Sequence, residues 1–254
     1  MKLDITLPTS LSEIPLSRYQ EFISMKDKSN DEEFIAQKMI QIFCGIKLGE
    51  VAKIKMKHLN ELIAHFTKVF SEKPQLVRKF KIKDLEFGFI PRFDDITFGE
   101  YVDLENYLKD WKTYHKALSV MYRPIKTSYK DKYEIVDYEP NEDMQDLMKY
   151  APLDVAISSS FFFVEFRRRI TESYSDLFEE RTEEDDEGFN QFSERHQFAK
   201  NWGWYTSIYG LSDGDLTKFD EVTSYRLTKC LTYLSFKKQK HEIEARELKQ
   251  QMKR

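Results

Sequence analysis

The segment TFGEYVDL at residues 97–104 gives the clearest local indication of the fold. Its Thr97 and Glu100 have the spacing of a capping box, in which each side chain accepts a hydrogen bond from the backbone N–H of the other residue. The segment lies in an acidic cluster at residues 94–105, and carboxylates in a first helical turn suit the positive end of the helix dipole. We therefore interpret the cluster as a helix start and not as a catalytic site.

After this helix start, the apolar pattern predicts one helix over residues 98–121, which Arg123 and Pro124 end. Residues 76–90 alternate between polar and apolar side chains around Lys83 and Asp84, which is typical of a β-hairpin that turns there. Residues 132–138 predict another strand, and residues 2–7 alternate in the same way. Helical patterns, with Asn30 as one expected N-cap, cover residues 15–27, 30–43, 49–53, 57–71, 141–149 and 153–172. Together they predict an α+β fold that is mainly helical, with a small antiparallel sheet.

A change of composition divides the chain. Residues 179–188, EERTEEDDEG, contain seven acidic residues and one basic residue, which is typical of an exposed linker. We predict a mainly helical α+β domain with the sheet at residues 1–178, an acidic linker at 179–188, and a C-terminal helical region at 189–254. Within that region, residues 216–236 predict a helix, and the charged tail after Lys237 predicts a solvated helical extension or a segment that folds against a partner.

The composition narrows the functional classes. The chain has 254 residues, of which 41% are hydrophobic and 15% aromatic, so a sizeable core can be buried. Its net charge of −4 gives no overall attraction to nucleic acid. The two cysteines, Cys44 and Cys230, do not indicate a disulfide framework. We expect no membrane span, because no window approaches the roughly 20 apolar residues that one needs, and the N-terminus has no signal-peptide pattern.

Catalytic and metal-binding motifs are missing from the sequence. The five histidines are scattered, and neither HExxH nor Cys–His pairs with zinc spacing occur. A glycine-rich phosphate loop and a Gly-x-Ser-x-Gly elbow are also missing. We therefore predict no catalytic, metal-binding or cofactor-binding residues and no cofactor. One enzyme alternative stays open, in which Asp94 and Asp95 of the acidic cluster act with His115.

Aromatic side chains provide the best candidates for binding. Trp202, Trp204 and Tyr205 lie close together, and tryptophan often dominates the energy of protein–protein contacts. We predict that the patch of Trp202, Trp204 and Tyr205 meets a partner, together with Ile243 and Leu248 of the charged tail. Of the two tryptophans, one can belong to the core while the other is the interface anchor. As an alternative, nucleic acid could be contacted by basic residues, namely Arg167, Arg168, Arg169, Lys53, Lys55 and Lys57.

Several short motifs resemble a recurring pattern in morphogenesis proteins of tailed bacteriophages, including crAss-like phages. They are FGFIP at 87–91, TFGEYVDLE at 97–105, MYRPI at 121–125, PLDVA at 152–156, FFF at 161–163, FAKNWGWY at 198–205, FDE at 219–221 and LTYL at 231–234. The resemblance implies a structural or assembly protein, either virion-internal cargo near the portal or tail, or a tail-assembly chaperone. It implies portal, tail or capsid proteins as partners, and location in the virion or in the host cytoplasm during assembly. The possibility that the protein forms a homo-oligomer also stays open.

Overall fold

The computed structural model describes residues 6–130, 132–178 and 202–252. They form a mainly helical α+β fold with a four-stranded antiparallel sheet, which confirms the predicted fold class. The chain groups into two compact units: unit 1 consists of Met1–Pro91 and Leu104–Phe163, and unit 2 of Arg92–Asp103 and Val164–Arg254. The acidic segment 179–188 and most of the alternating residues 2–7 lie outside the described residues, so the predicted linker and the strand at residues 2–7 stay predictions.

Helices account for most of the described residues. In chain order they are α1 (Leu16–Lys26), α2 (Glu32–Cys44), α3 (Leu48–Val51), α4 (Met56–Phe70), α5 (Phe98–Tyr107), α6 (Tyr114–Met121), α7 (Glu142–Leu147), α8 (Leu153–Ser173), α9 (Ser175–Phe178), α10 (Trp204–Leu211), α11 (Phe219–Ser224) and α12 (Leu227–Gln251). The N-cap predicted at Asn30 is wrong by one residue. Asp31 caps α2, because its carboxylate accepts hydrogen bonds from the N–H groups of Glu33 and Phe34 at 3.0 and 3.1 Å.

The sheet consists of β1 (Lys79–Ile82), β2 (Leu85–Phe89), β3 (Tyr122–Tyr129) and β4 (Lys132–Ile135), paired in that order. The predicted hairpin is confirmed, and its turn holds Lys83 at φ 53°. Aromatic side chains cover one face of the sheet: Phe80 contacts Phe87 and Tyr122 with ring centroids 5.4 and 5.2 Å apart. The sheet is therefore part of the core of unit 1.

The prediction of one helix over residues 98–121 is wrong. The helix stops at Tyr107, a short 3-10 helix follows at Trp111–Thr113, and α6 covers only Tyr114–Met121. Asp110 starts the second part, because its side chain accepts a hydrogen bond from the N–H of Lys112 at 2.9 Å. The chain then continues as β3 through Pro124. The C=O of Pro124 accepts a hydrogen bond from the N–H of Val136 at 3.0 Å, and the register shifts just beyond, which accommodates the proline.

Unit 2 is organised around the helix start at Thr97. The capping box is confirmed, since the N–H of Thr97 donates to Glu100 Oε2 at 2.7 Å and the N–H of Glu100 to Thr97 Oγ1 at 3.2 Å. The chain around it pairs with a distant segment: the N–H of Phe98 donates to the C=O of Tyr225, and the N–H of Leu227 to the C=O of Ile96. This pairing fixes where α12 begins.

The same pairing explains a second correction. Residues 216–236 were predicted to form a single helix, which the structure divides into a 3-10 helix at Leu216–Lys218, then α11 and α12. Tyr225 and Arg226 between α11 and α12 are extended, with ψ of 153° and 138°. Because their backbone groups face residues 96–98, they cannot continue a helix. The helix α12 then runs through the charged tail to Gln251, which confirms the predicted helical extension.

Candidate functional site

Exposed apolar side chains are concentrated in unit 2. Of the fifteen large hydrophobic side chains that are exposed in the described residues, ten belong to this smaller unit and five to unit 1. Scattered exposed hydrophobic residues are normal, but a concentration of them is typical of an interaction surface. Those of unit 2 are Val164, Trp202, Tyr205, Tyr209, Leu216, Tyr233, Phe236, Ile243, Leu248 and Met252.

The first surface is an aromatic ridge, which we define as Trp202, Tyr205 and Tyr209. Their exposed fractions are 50%, 47% and 57%. The spacing of three and four residues places Tyr205 and Tyr209 on one face of α10 and continues it to Trp202 just before the helix. The ring centroids of Trp202 and Tyr205 are 5.4 Å apart, and Tyr205 also packs on Phe219 at 5.4 Å. These contacts hold large apolar rings at the surface in fixed positions.

Trp204 has the opposite role. It is half-buried, and its ring contacts Phe98, Tyr101 and Phe178 in edge-on arrangements with centroids 5.5 to 6.1 Å apart. Two of these partners, Phe98 and Tyr101, are buried. Trp204 therefore holds α10 on the core of unit 2, and Trp202 is the tryptophan that a partner can reach.

The second surface is an apolar groove of about 280 Å³ in unit 2. Its apolar lining comes from α9, α10 and α12: Leu177, Phe178, Trp204, Leu231 and Leu234. Lys237, Lys238 and His241 form its basic rim. Two of these groups are held in place, because Lys237 Nζ donates to the C=O of Gly210 at 2.9 Å and Lys238 Nζ donates to the C=O of Asp176. The groove thus combines an apolar floor with an anchored cationic edge.

Beyond the groove, α12 is exposed. Ile243 and Leu248 are 55% and 59% exposed, so they do not belong to the buried core. Ion pairs with i,i+4 spacing, Lys240–Glu244 and Glu242–Arg246, run along the helix at 3.6 and 3.7 Å. Such pairs support an isolated helix only weakly. A 25-residue helix with exposed apolar side chains near its end is well suited to contact a partner.

The basic residues proposed for nucleic acid fall into two groups. Arg168 donates to both Glu165 and Glu172, and Arg169 is 3.5 Å from Asp94, so both of these arginines are paired with carboxylates. Lys53, Lys55 and Lys57 are exposed on unit 1, around the start of α4. The arginine run and the lysine group belong to different units.

The residues of the enzyme alternative also belong to different units. In unit 2, Asp94 pairs with Arg169, and Asp95 pairs with Arg92 at 3.1 Å and Arg226 at 3.3 Å. In unit 1, His115 is buried with its Nδ1 3.0 Å from Gln20 Nε2. Each group thus has a structural partner within its own unit.

Electrostatics in the core of unit 1 favour a neutral His115. Burial lowers its pKa most, and the nearby Lys149 ammonium lowers it further, while Asp146 raises it. Burial also raises the pKa of both thiols, that of half-buried Cys44 in unit 1 and that of buried Cys230 in unit 2, to about 11. Among the described residues, no three His, Cys, Asp or Glu side chains are grouped so that they could hold a metal ion. In the same residues, we find no helix with the length and apolar character to cross a bilayer.

Comparison with protein-family models, with curated proteins and with solved structures found no match to this chain. The geometry of unit 2 is therefore the basis for its interpretation. Sequence reasoning found Trp202, Tyr205, Ile243 and Leu248 but missed Tyr209 and Phe236, which are 57% and 62% exposed. Trp202 and Tyr209 are seven residues apart, which is about two helical turns and places both on one helix face. This spacing is the sequence signal from which the complete ridge could have been predicted.

Proposed function

We propose that this protein is a non-enzymatic assembly protein of a tailed bacteriophage and that it acts through protein–protein contacts made by unit 2. The observation that carries the contact role is the aromatic ridge of Trp202, Tyr205 and Tyr209, three large rings about half exposed on one face. The phage setting comes from the motif resemblance described above. Its partners are portal, tail or capsid proteins, and its role is that of virion-internal cargo near the portal or tail, or of a tail-assembly chaperone.

The energy of such a contact would be concentrated in a few side chains. Aromatic anchors in a desolvated contact each contribute about 2 kcal/mol or more, and exposed rings that are already positioned lose little conformational entropy on binding. Trp202 and Tyr205 support each other in this way. Exposed Ile243 and Leu248 on α12 extend the apolar surface, and the charged side chains around them keep the free helix soluble.

The direct test measures binding of the purified protein to each portal, tail and capsid protein of the phage that encodes it. We expect the variant Trp202→Ala with Tyr205→Ala to bind its partner at least tenfold more weakly. The control is Tyr150→Ala, which removes a ring that is 64% exposed on unit 1 and should leave the affinity unchanged. A correctly folded double variant that binds every one of these proteins as the wild type does would refute the contact role of the ridge.

A second measurement tests the phage setting. Mass spectrometry of purified virions and of assembly intermediates should detect the protein in at least one of them. Presence in mature virions supports the cargo role, and presence only in intermediates supports the chaperone role. Absence from both would refute the proposed setting while leaving the binding measurement to be judged on its own.

A further inference from the structure

The sheet of unit 1 has one covered and one open face. Strand pairing places Phe80, Phe87 and Tyr122 on the covered face, where they are at most 8% exposed. The alternate residues lie on the opposite, open face and, except for Gly88, which Tyr133 covers, they are exposed or half-buried. They include Lys79, Lys81, Glu86, Arg123, Ser128 and Tyr133.

Basic side chains are concentrated along β1. Lys79 and Lys81 lie on the open face, and Arg78 and Lys83 flank this edge strand; each of the four is exposed or half-buried. Within the part of the chain that the structure describes, none of the four forms an ion pair, in contrast to Arg168 in unit 2. The hairpin at residues 78–90 carries these four cations against two carboxylates, although the whole chain has a net charge of −4. The positive charge is thus local and available.

An aromatic ring is fixed among these cations. Tyr133 lies across Gly88, where any larger residue would collide with its ring. Its hydroxyl donates to the C=O of Phe89 at 2.7 Å, and Lys79 Nζ is 4.7 Å from the ring centroid. Burial raises the pKa of Tyr133, and the Arg78 guanidinium opposes that shift. The ring therefore has a fixed place on the open face, with its hydroxyl anchored to the backbone.

We infer that the open face of this sheet binds single-stranded nucleic acid. The phosphates contact Arg78, Lys79 and Lys81, and an unpaired base stacks on the ring of Tyr133 in place of the Lys79 ammonium. Proteins that bind single strands combine a positive track for the backbone with aromatic rings for the bases. The inference concerns unit 1 alone and does not rest on the function proposed for unit 2.

Two features favour this ligand over other polyanions. An acidic peptide would satisfy the cations but would gain little from the fixed ring of Tyr133. A duplex keeps its bases stacked inside the helix, so the ring would have no base to contact. Glu86 is the cross-strand neighbour of Lys81 on the same face, without an ion pair between these two described side chains, and its negative charge lowers the affinity for any anion. Neutralising Glu86 should therefore strengthen binding at this face specifically.

The test is fluorescence anisotropy with labelled dT20 and U20, single strands without secondary structure, at several salt concentrations. The first variant combines Arg78→Gln with Lys81→Gln, two exposed positions where folding is least at risk. Each phosphate contact on a single strand contributes about 0.7 to the slope of log K against log salt. Losing two contacts should reduce the magnitude of this slope by about 1.4 and weaken binding about 25-fold at 0.1 M salt.

Four further variants make the result specific. Lys53→Gln with Lys55→Gln removes the same charge from another exposed part of unit 1 and should change the affinity less than twofold. Tyr133→Leu should weaken binding about tenfold, since base stacking on an aromatic ring is sequence-tolerant and substantial, whereas Tyr133→Phe should retain most of it. Glu86→Gln should strengthen binding a few-fold.

The inference is overturned if the wild type binds neither dT20 nor U20 at 20 mM salt. It is also overturned if the control at Lys53 and Lys55 loses as much affinity as the variant at Arg78 and Lys81. A poly-glutamate peptide that binds as tightly as dT20, with Tyr133→Leu without effect on either ligand, would identify a general anion surface and refute the nucleic-acid assignment.

Discussion

Replacement of Gly88 by alanine gives the sharpest test of the packing in unit 1. A Cβ at this position would overlap Tyr133 Cε2, lie 2.7 Å from Tyr133 Cδ2 and lie 3.1 Å from Ile125 Cγ1. The φ angle of Gly88 is not positive, so alanine is compatible with the backbone conformation. The steric overlap with Tyr133 and Ile125 is therefore the only source of destabilisation in the folded state. The ring must move, which breaks the hydrogen bond from the Tyr133 hydroxyl to the C=O of Phe89.

The expected magnitude follows from three contributions. Overpacking costs about 1–3 kcal/mol, and loss of the hydrogen bond costs about 1 kcal/mol. Alanine in a strand offsets about 0.5–1 kcal/mol by reducing the entropy of the unfolded chain. We therefore expect Gly88→Ala to lower the free energy of unfolding by about 2 kcal/mol, measured by urea titration with circular dichroism at 222 nm.

A double-mutant cycle isolates the cause. In the background Tyr133→Ala the ring is gone, so Gly88→Ala should cost less than about 0.5 kcal/mol, since only the contact with flexible Ile125 remains. Gly49→Ala, where a Cβ meets nothing within 4 Å, is the matched control and should not destabilise. The same cost of Gly88→Ala with and without the Tyr133 ring would refute this explanation.

Three more predictions concern the helix start, a buried histidine and the thiols. Thr97→Ala should lower the free energy of unfolding by about 1 kcal/mol, because the N–H of Glu100 loses its acceptor. Thr97→Ser keeps the hydroxyl and should retain the wild-type stability. Equal unfolding curves for all three proteins would argue against the capping box. Since the pKa of His115 is lowered below 6.5 in the folded state, the unfolded chain binds the proton more readily, so stability should fall as the pH drops through and below 6.5. His115→Gln should flatten that part of the stability profile, measured by urea titration between pH 5 and 8, and an unaltered profile would contradict the assignment. Because burial raises the pKa of the Cys44 and Cys230 thiols to about 11, few of them are thiolates at pH 8. They should therefore react with a disulfide reagent at pH 8 roughly a hundredfold more slowly in the native protein than in urea. A fast reaction of the native protein would be inconsistent with their burial.

Local signals predicted much of the fold because their causes are local. The capping box at Thr97 and Glu100 needs only four residues, and the turn at Lys83 needs only its own hairpin. Strand β3 was missed because the short apolar run at residues 120–122 suits a helix or a strand equally well. What decides between them is pairing with β2 and β4, which no local window contains.

The candidate surfaces were predictable only in part. The sequence identifies Trp202 and Trp204 as a pair, but contacts with Phe98, Tyr101 and Phe178 decide which one is half-buried. The alternation of lysines along β1 was visible as a strand pattern, yet its relation to Tyr133 depends on the four-strand order and on Gly88. Whether an aromatic ring is buried or exposed depends on which side chains from distant parts of the chain pack against it, and a local sequence pattern does not contain that information.

The backbone pairing of residues 96–98 with residues 225–227 has a consequence for biosynthesis. During translation, the first of these segments leaves the ribosome long before the second, by about ten seconds at typical elongation rates of 5–20 residues per second. Until then, the N–H of Phe98 and the C=O of Ile96 lack the partners that complete their part of unit 2. A nascent chain stopped short of Tyr225 should therefore be more sensitive to proteases at residues 92–103 than a finished chain released from the ribosome.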